Sequence, residues 1–80
     1  MPYAKLDHYN YDLLGDGKFV TIRIRLCGTK DPDLVDIMSE IDRNNGRIYV
    51  EGRRFIYSND YSIYGDYRDA YLDIQVEETR

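Results

Sequence analysis

Two neighbouring stretches, KFVTIRIRL at 18–26 and DPDLVDIMSEIDR at 31–43, set the architecture of this chain, because the spacing of apolar residues changes between them. In the first, Val20, Ile22, Ile24 and Leu26 point one way while Phe19, Thr21, Arg23 and Arg25 point the other. Alternation of period two with β-branched residues suits a half-buried strand and would be awkward on a helix. In the second, Leu34, Ile37, Met38 and Ile41 recur at helical spacing. Asp31 is a good N-cap, Pro32 suits the first helical position, and Asp33 and Asp36 favour the positive end of the helix dipole. Asn44-Asn45-Gly46 then supplies a residue type able to take the left-handed conformation that closes a helix. A strand over Lys18–Leu26 and a helix over Pro32–Arg43 are expected, joined through Cys27 and Gly28.

Working outward, Gly15-Asp16-Gly17 reads as a turn, so Tyr3–Leu13 is expected to pair back as the first strand of a hairpin. Downstream, Arg47–Glu51 and Arg54–Ser58 form a second hairpin about Gly52-Arg53. In the last strand Ala70, Leu72, Ile74 and Val76 alternate with Tyr71, Asp73, Gln75 and Glu77. Glu78-Thr79-Arg80 carries no apolar residue and is expected to fray. Between them, Tyr61, Tyr64, Arg68 and Tyr71 have helical spacing, whereas Gly65 and Asn59-Asp60 suggest a loop, and the segment 61–69 stays open. The sum is a single α+β domain over residues 1–80, in ββαβββ order. Its antiparallel sheet has four to five strands, with one helix packed on a face.

Eighty residues bury a modest core, worth ~3–5 kcal/mol net, which leaves little stability for a strained catalytic pocket. Cys27 is the only cysteine, so neither an internal disulfide nor a zinc cluster is available. No apolar run approaches the ~18 residues of a membrane span, and the first residues lack the apolar core of a secretory signal. A reducing, cytoplasmic setting is expected.

Charge is distributed unevenly. Residues 57–80 hold six acids and two bases, a balance of −4, equal to the formal charge of the whole chain. Residues 17–56 contribute +2. Tyr57, Tyr61, Tyr64, Tyr67 and Tyr71 fall among Asp60, Asp66, Asp69, Asp73, Glu77 and Glu78. Asp69, Asp73 and Glu77 recur every fourth residue, so they share a face in strand or helix. In a strand they stand ~13 Å apart, too sparse alone to copy the one charge per ~3.4 Å of a DNA strand. Tyrosine adds large, rigid contact area with a hydroxyl. The expected partner-binding set is Tyr57, Asp60, Tyr61, Tyr64, Asp66, Tyr67, Asp69, Tyr71, Asp73 and Glu77, facing a protein with a basic surface. The alternative is ordinary solubilising charge with the tyrosines in the core.

Catalytic constellations are thin. His8 and Cys27 are single representatives, and a cysteine at a strand end is more often a small buried hydrophobe than a nucleophile. Ser39, Ser58 and Ser62 sit in no nucleophile-elbow pattern. The run from Asp31 to Asp36 lacks the glycine and glutamate of a calcium loop, and helix capping explains its acids. No catalytic residue, cofactor, metal or small-molecule substrate is expected. Arg23 and Arg25 with Arg47, Arg53 and Arg54, interleaved with Tyr49 and Phe55, could instead offer single-stranded nucleic acid a basic sheet. The alternative is a solvated sheet face whose arginines pair with cross-strand acids, and the acidic balance elsewhere opposes direct nucleic-acid binding. A third possibility is a homodimer paired through an edge strand at 18–26 or 70–77.

In size, acidity, tyrosine content and lack of catalytic residues, the chain resembles small phage-encoded inhibitors of bacterial defence systems, anti-CRISPR proteins and DNA mimics among them. The likeness is one of whole-chain composition. It implies a non-enzymatic inhibitor that blocks the basic channel of a nucleic-acid-binding protein. The central arginines depart from a uniformly acidic mimic.

Overall fold

The computed structural model describes residues 2–26, 34–66 and 69–79. Its elements are β1 (Ala4–Lys5), β2 (Tyr11–Leu14), β3 (Phe19–Arg25), α1 (Leu34–Arg43), β4 (Arg47–Val50), β5 (Arg53–Asp66) and β6 (Asp69–Thr79). The class is α+β, as expected, but the sheet has six strands in the order β1-β4-β5-β6-β3-β2. It is mixed rather than antiparallel, because β1 runs parallel to β4 and sets Ala4 beside Ile48.

The single strand expected over 3–13 is divided. Leu6 is fully buried, the Tyr9 amide donates to the Leu6 carbonyl at 3.0 Å, and the chain reverses before β2 joins β3. Burying Leu6 while turning at Asp7-His8 is incompatible with one continuous strand. The consequence is curvature. β1 and β2 are opposite edges of the sheet, yet only residues 6–10 connect them. Six flat strands would hold their edges ~24 Å apart, beyond the ~21 Å that this link spans even fully extended. The sheet therefore curls, and the Tyr11 hydroxyl reaches Glu51 at the far β4–β5 turn.

The concave face holds the core. Val20, Ile22 and Ile24 of β3 stand opposite Val76, Ile74 and Leu72 of β6, and all six are buried. Ile48, Val50, Phe55, Ala4 and Leu6 complete the sheet side, while Ile37 and Ile41 enter from α1. Each large apolar side chain so buried contributes ~1.5–3 kcal/mol. The helix stripe is as expected, with Leu34 and Met38 packed at its margin. The helix closes as its sequence suggests: Asn45 takes φ 56°, its amide donates to the Asp42 carbonyl at 3.0 Å, and the Gly46 amide donates to Ile41 at 2.9 Å. This is a Schellman closure with asparagine in the left-handed position. Cys27, Gly28, Asp31, Pro32 and Asp33, the expected linker and helix start, lie outside the described residues.

Three boundaries differ from expectation. The β4–β5 turn is Glu51-Gly52, one residue earlier, with φ 52° and 76°, both left-handed as a primed two-residue hairpin turn requires. β5 continues to Asp66 instead of stopping at Ser58, so 61–66 is strand. Ser58 and Asn59 form a bulge, with Asn59 at φ 62°, between the pairs Tyr57–Val76 and Asp60–Gln75. Two inserted residues preserve the alternation of faces. Glu78 and Thr79 do not fray: the Glu78 amide donates to Lys18 at 2.6 Å, and Arg53 grips the Glu78 carboxylate through two bonds of 2.8 and 2.9 Å.

β3 and β6 are both interior strands, so neither 18–26 nor 70–77 offers a free edge. The exposed edge lies elsewhere. β4 covers β5 over Arg53–Ile56, and beyond Tyr57 no described strand pairs the outer side of β5. Among the described residues, no helix is long and apolar enough to cross a membrane.

Candidate functional site

In the distal β5–β6 arm, β5 runs past the end of β4, while β6 stays paired with β3 on its other side. Tyr61, Ile63 and Tyr64 are 45%, 51% and 47% exposed, although they lie in a regular strand. Antiparallel register assigns faces here, since directly opposed residues share one. Tyr57 and Tyr61 oppose Val76 and Ile74, which puts both on the concave side. The expectation of one tyrosine surface is therefore corrected: the bulge and period-two alternation send Tyr57 and Tyr61 away from Tyr64 and Tyr71. Tyr57 is half-buried against the core, and that burial, with Tyr61, Asp42 and Asp60 nearby, raises its hydroxyl above the ordinary value. Tyr67 lies outside the described residues.

The convex side carries the remainder. Tyr64 opposes Tyr71, which opposes Arg25; Ser62 opposes Asp73, which opposes Arg23, which opposes Asp12; Asp60 opposes Gln75. Asp66 opposes Asp69 at the arm's end. Asp60, Tyr64, Asp66, Asp69, Tyr71, Asp73 and Glu77 are thus gathered on one face, as expected for Asp69, Asp73 and Glu77.

The alternative reading of the arginines, pairing with cross-strand acids, holds for Arg23 and Arg25, and what sequence spacing left out is which acids they meet. Arg23 donates to both carboxylate oxygens of Asp73 at 2.8 and 3.0 Å. These bonds raise the Arg23 guanidinium above its ordinary value. Lys18 meets Glu77 at 2.8 Å, and Arg25 stands 3.7 Å from Asp69. Every carboxylate of the four-spaced row therefore has a base from the β3 side. The only available signal was that Arg23 and Arg25 share a strand face, and register alone converts that into pairing.

Arg23 does more than neutralise. Its guanidinium lies 4.3 Å from the Tyr71 ring centre, and Tyr71 stacks on Tyr64 at 5.3 Å with 27° between planes. The result is a cation–ring–ring stack, with Asp73 only 6% exposed beneath it. Such a stack fixes Tyr71 and presents a preorganised aromatic plane at low entropic loss. A notch of about 80 Å³ beside it is lined by Asn10, Tyr11, Asp12, Arg23, Arg25 and Tyr71, too small for a substrate pocket of the usual several hundred Å³.

Other candidates are dispersed. His8 is exposed, stacks near Tyr9 and lies 4.0 Å from Glu40, while Cys27 is outside the described residues. Among the described residues, no group of three or more His, Cys, Asp or Glu is arranged to hold a metal ion. No protein-family model, curated protein or solved structure matches this chain.

Proposed function

We propose that this chain is a non-enzymatic binding protein, an inhibitor that docks a basic surface of a nucleic-acid-binding protein through the convex face of the β5–β6 arm. The observation that carries this reading is the Tyr64–Tyr71 stack, with Tyr64 exposed and Tyr71 half-exposed, held from behind by Arg23 on the stretch of β5 that runs past β4. Rigid aromatic planes of this kind are the usual anchors of protein contacts. The surrounding face remains acidic, with Asp12, Asp60, Asp66, Asp69, Asp73 and Glu77 against Lys18, Arg23 and Arg25. Those acids steer a basic partner toward the arm. Pairing of the four-spaced row with Lys18, Arg23 and Arg25 favours a mixed-charge contact over strict imitation of a phosphate strand. The resemblance in composition to phage-encoded anti-defence inhibitors supports the same class, working in the cytoplasm.

Quantitative capture from bacterial lysate, using wild type and a Tyr64→Ala/Tyr71→Ala bait of equal foldedness, tests the reading. A basic nucleic-acid-binding partner should be retained by the first and lost from the second. Equal retention by both would dispose of the arm as the contact.

A homodimer joined along the outer side of β5 is the second reading, favoured by the stretch past Tyr57 where no described strand lies on that side. In an antiparallel register centred on Ser62, however, Asp60 of one copy lies diagonal to Asp66 of the other, a like-charge arrangement that sheets disfavour. Light scattering at micromolar concentration distinguishes a dimer from a monomer.

A further inference from the structure

A second surface lies at the opposite end of the convex face, where β1, β4 and the first residues of β5 meet. The parallel register sets Lys5 beside Tyr49, and the antiparallel register sets Tyr49 beside Arg54, so a phenol ring stands between two cations. Tyr3 lies two residues before Lys5, and its ring centre is 6.3 Å from that of Tyr49 with 59° between planes. Pro2, Tyr3, Lys5, Tyr49 and Arg54 line a shallow, open depression, a shape suited to an extended strand lying across the sheet rather than to an enclosed small molecule. Arg47, two residues before Tyr49 on the same strand face, donates its Nε to the Pro2 carbonyl at 3.2 Å.

Charge bookkeeping separates this surface from the rest of the molecule. Lys18, Arg23, Arg25 and Arg53 each face a carboxylate within 4 Å. Lys5, Arg47 and Arg54 face none among the described residues; Arg43 faces none either, but it stands alone in the last turn of α1, the helix packed on the concave side. Three unneutralised cations around two half-exposed rings are unexpected in a chain of net charge −4. The nearest acid of the acidic face, Glu77, opposes Ile56 and so lies diagonal to Arg54, but Lys18 pairs with it at 2.8 Å; the arm's end at Asp66 and Asp69 lies well beyond the ~8 Å screening length at physiological salt. The acidic arm therefore does not cancel the local field. An acidic peptide would use the cations and leave the rings idle, whereas a nucleic-acid strand uses both.

We propose that this face binds single-stranded nucleic acid, with phosphates at Lys5, Arg54 and Arg47 and bases stacked on Tyr49 and Tyr3. The arginine set expected from sequence is thereby redistributed: Arg23, Arg25 and Arg53 are committed to Asp73, Asp69 and Glu78, and Lys5 takes their place beside Arg54. A duplex is excluded from the stacking, since its bases already stack on each other. The proposal concerns a surface separate from the arm and stands whether or not the arm docks a protein.

Fluorescence anisotropy with a labelled single-stranded oligothymidylate at low salt tests it, with a duplex of equal length and polyglutamate as the other arms. The single strand should bind, and log K should fall against log salt with a slope of about −2, at about −0.7 per phosphate for three contacts. Tyr49→Ala and Tyr3→Ala should each weaken binding about tenfold, the scale of one lost base stack, while Tyr49→Phe should bind as wild type. Lys5→Gln/Arg54→Gln, which leaves both rings in place, should flatten the salt slope. No single-strand binding at low salt, equal binding of the duplex, preference for polyglutamate, or an unchanged affinity in the Lys5→Gln/Arg54→Gln variant would each overturn the proposal.

Discussion

Replacing Gly65 by alanine gives the sharpest test of the arm's geometry. Gly65 sits at φ 87° directly opposite Ala70, and a Cβ built there overlaps the Asp69 carbonyl oxygen and crowds the Ala70 Cα at 3.0 Å. The left-handed conformation alone costs an L-residue ~1–2 kcal/mol, and moving a packed neighbour costs a further ~1–3 kcal/mol. Gly17, at φ 78° with nothing within 4 Å of its added Cβ, carries the conformational cost without the clash. Gly65→Ala should therefore destabilise by ~2–5 kcal/mol and Gly17→Ala by ~1–2 kcal/mol. In a domain of this size, 1 kcal/mol corresponds to roughly 4–8 °C in Tm. Thermal and urea unfolding of the two variants beside wild type measure the difference. Equal Tm values for Gly65→Ala and Gly17→Ala would refute the register of β5 against β6 at its end, and with it the adjacent Tyr64–Tyr71 stack.

Other expectations concern titration and packing. Glu78 is held below the usual carboxylate range by its bonds to Arg53. Its contribution is therefore complete above the ordinary glutamate value of ~4.3 and is lost as pH falls through the lowered one; Glu78→Gln should remove that part of the acid loss seen in urea titrations between pH 6 and 3. Tyr9, Tyr11 and Tyr57 are raised, chiefly by burial. Their contribution persists below the ordinary tyrosine value of ~10 and declines as pH climbs through the raised ones. An alkaline absorbance titration should show these three ionising after the exposed tyrosines, and a single transition for all nine would contradict their burial. Ile41→Ala, at a fully buried helix position, should cost ~2–5 kcal/mol in urea unfolding.

Legibility in the sequence followed locality. Strand β3 and the alternating part of β6 were plain because each carries its own period. The helix was plain because its stripe and its closing Asn45 and Gly46 lie within one short segment. β1 was not, since two residues in parallel pairing leave no periodic trace and Leu6 looks like one more apolar residue before a turn. The arm was obscured by its own bulge. Ser58 and Asn59 interrupt the alternation, so a strand with an inserted kink resembles two strands with a loop. The candidate face was half legible: four-residue spacing placed Asp69, Asp73 and Glu77 together. Their neutralisation by Arg25, Arg23 and Lys18 depends on β3 lying beside β6, a contact between residues some fifty positions apart that no local pattern encodes. The same distance hid the Arg23–Tyr71–Tyr64 stack. Glu78 and Thr79 seemed free for a related reason, because Arg53 meets Glu78 and the Arg54 carbonyl meets the Thr79 hydroxyl only once β5 has folded back.

Hydrogen–deuterium exchange of the captured complex addresses the central claim most directly. If the arm is the docking element, amides across 60–66 and 69–75 slow markedly on binding, while those of α1 keep their rates. Slowing confined to α1, with exchange along the arm identical in the free and bound protein, would contradict the account.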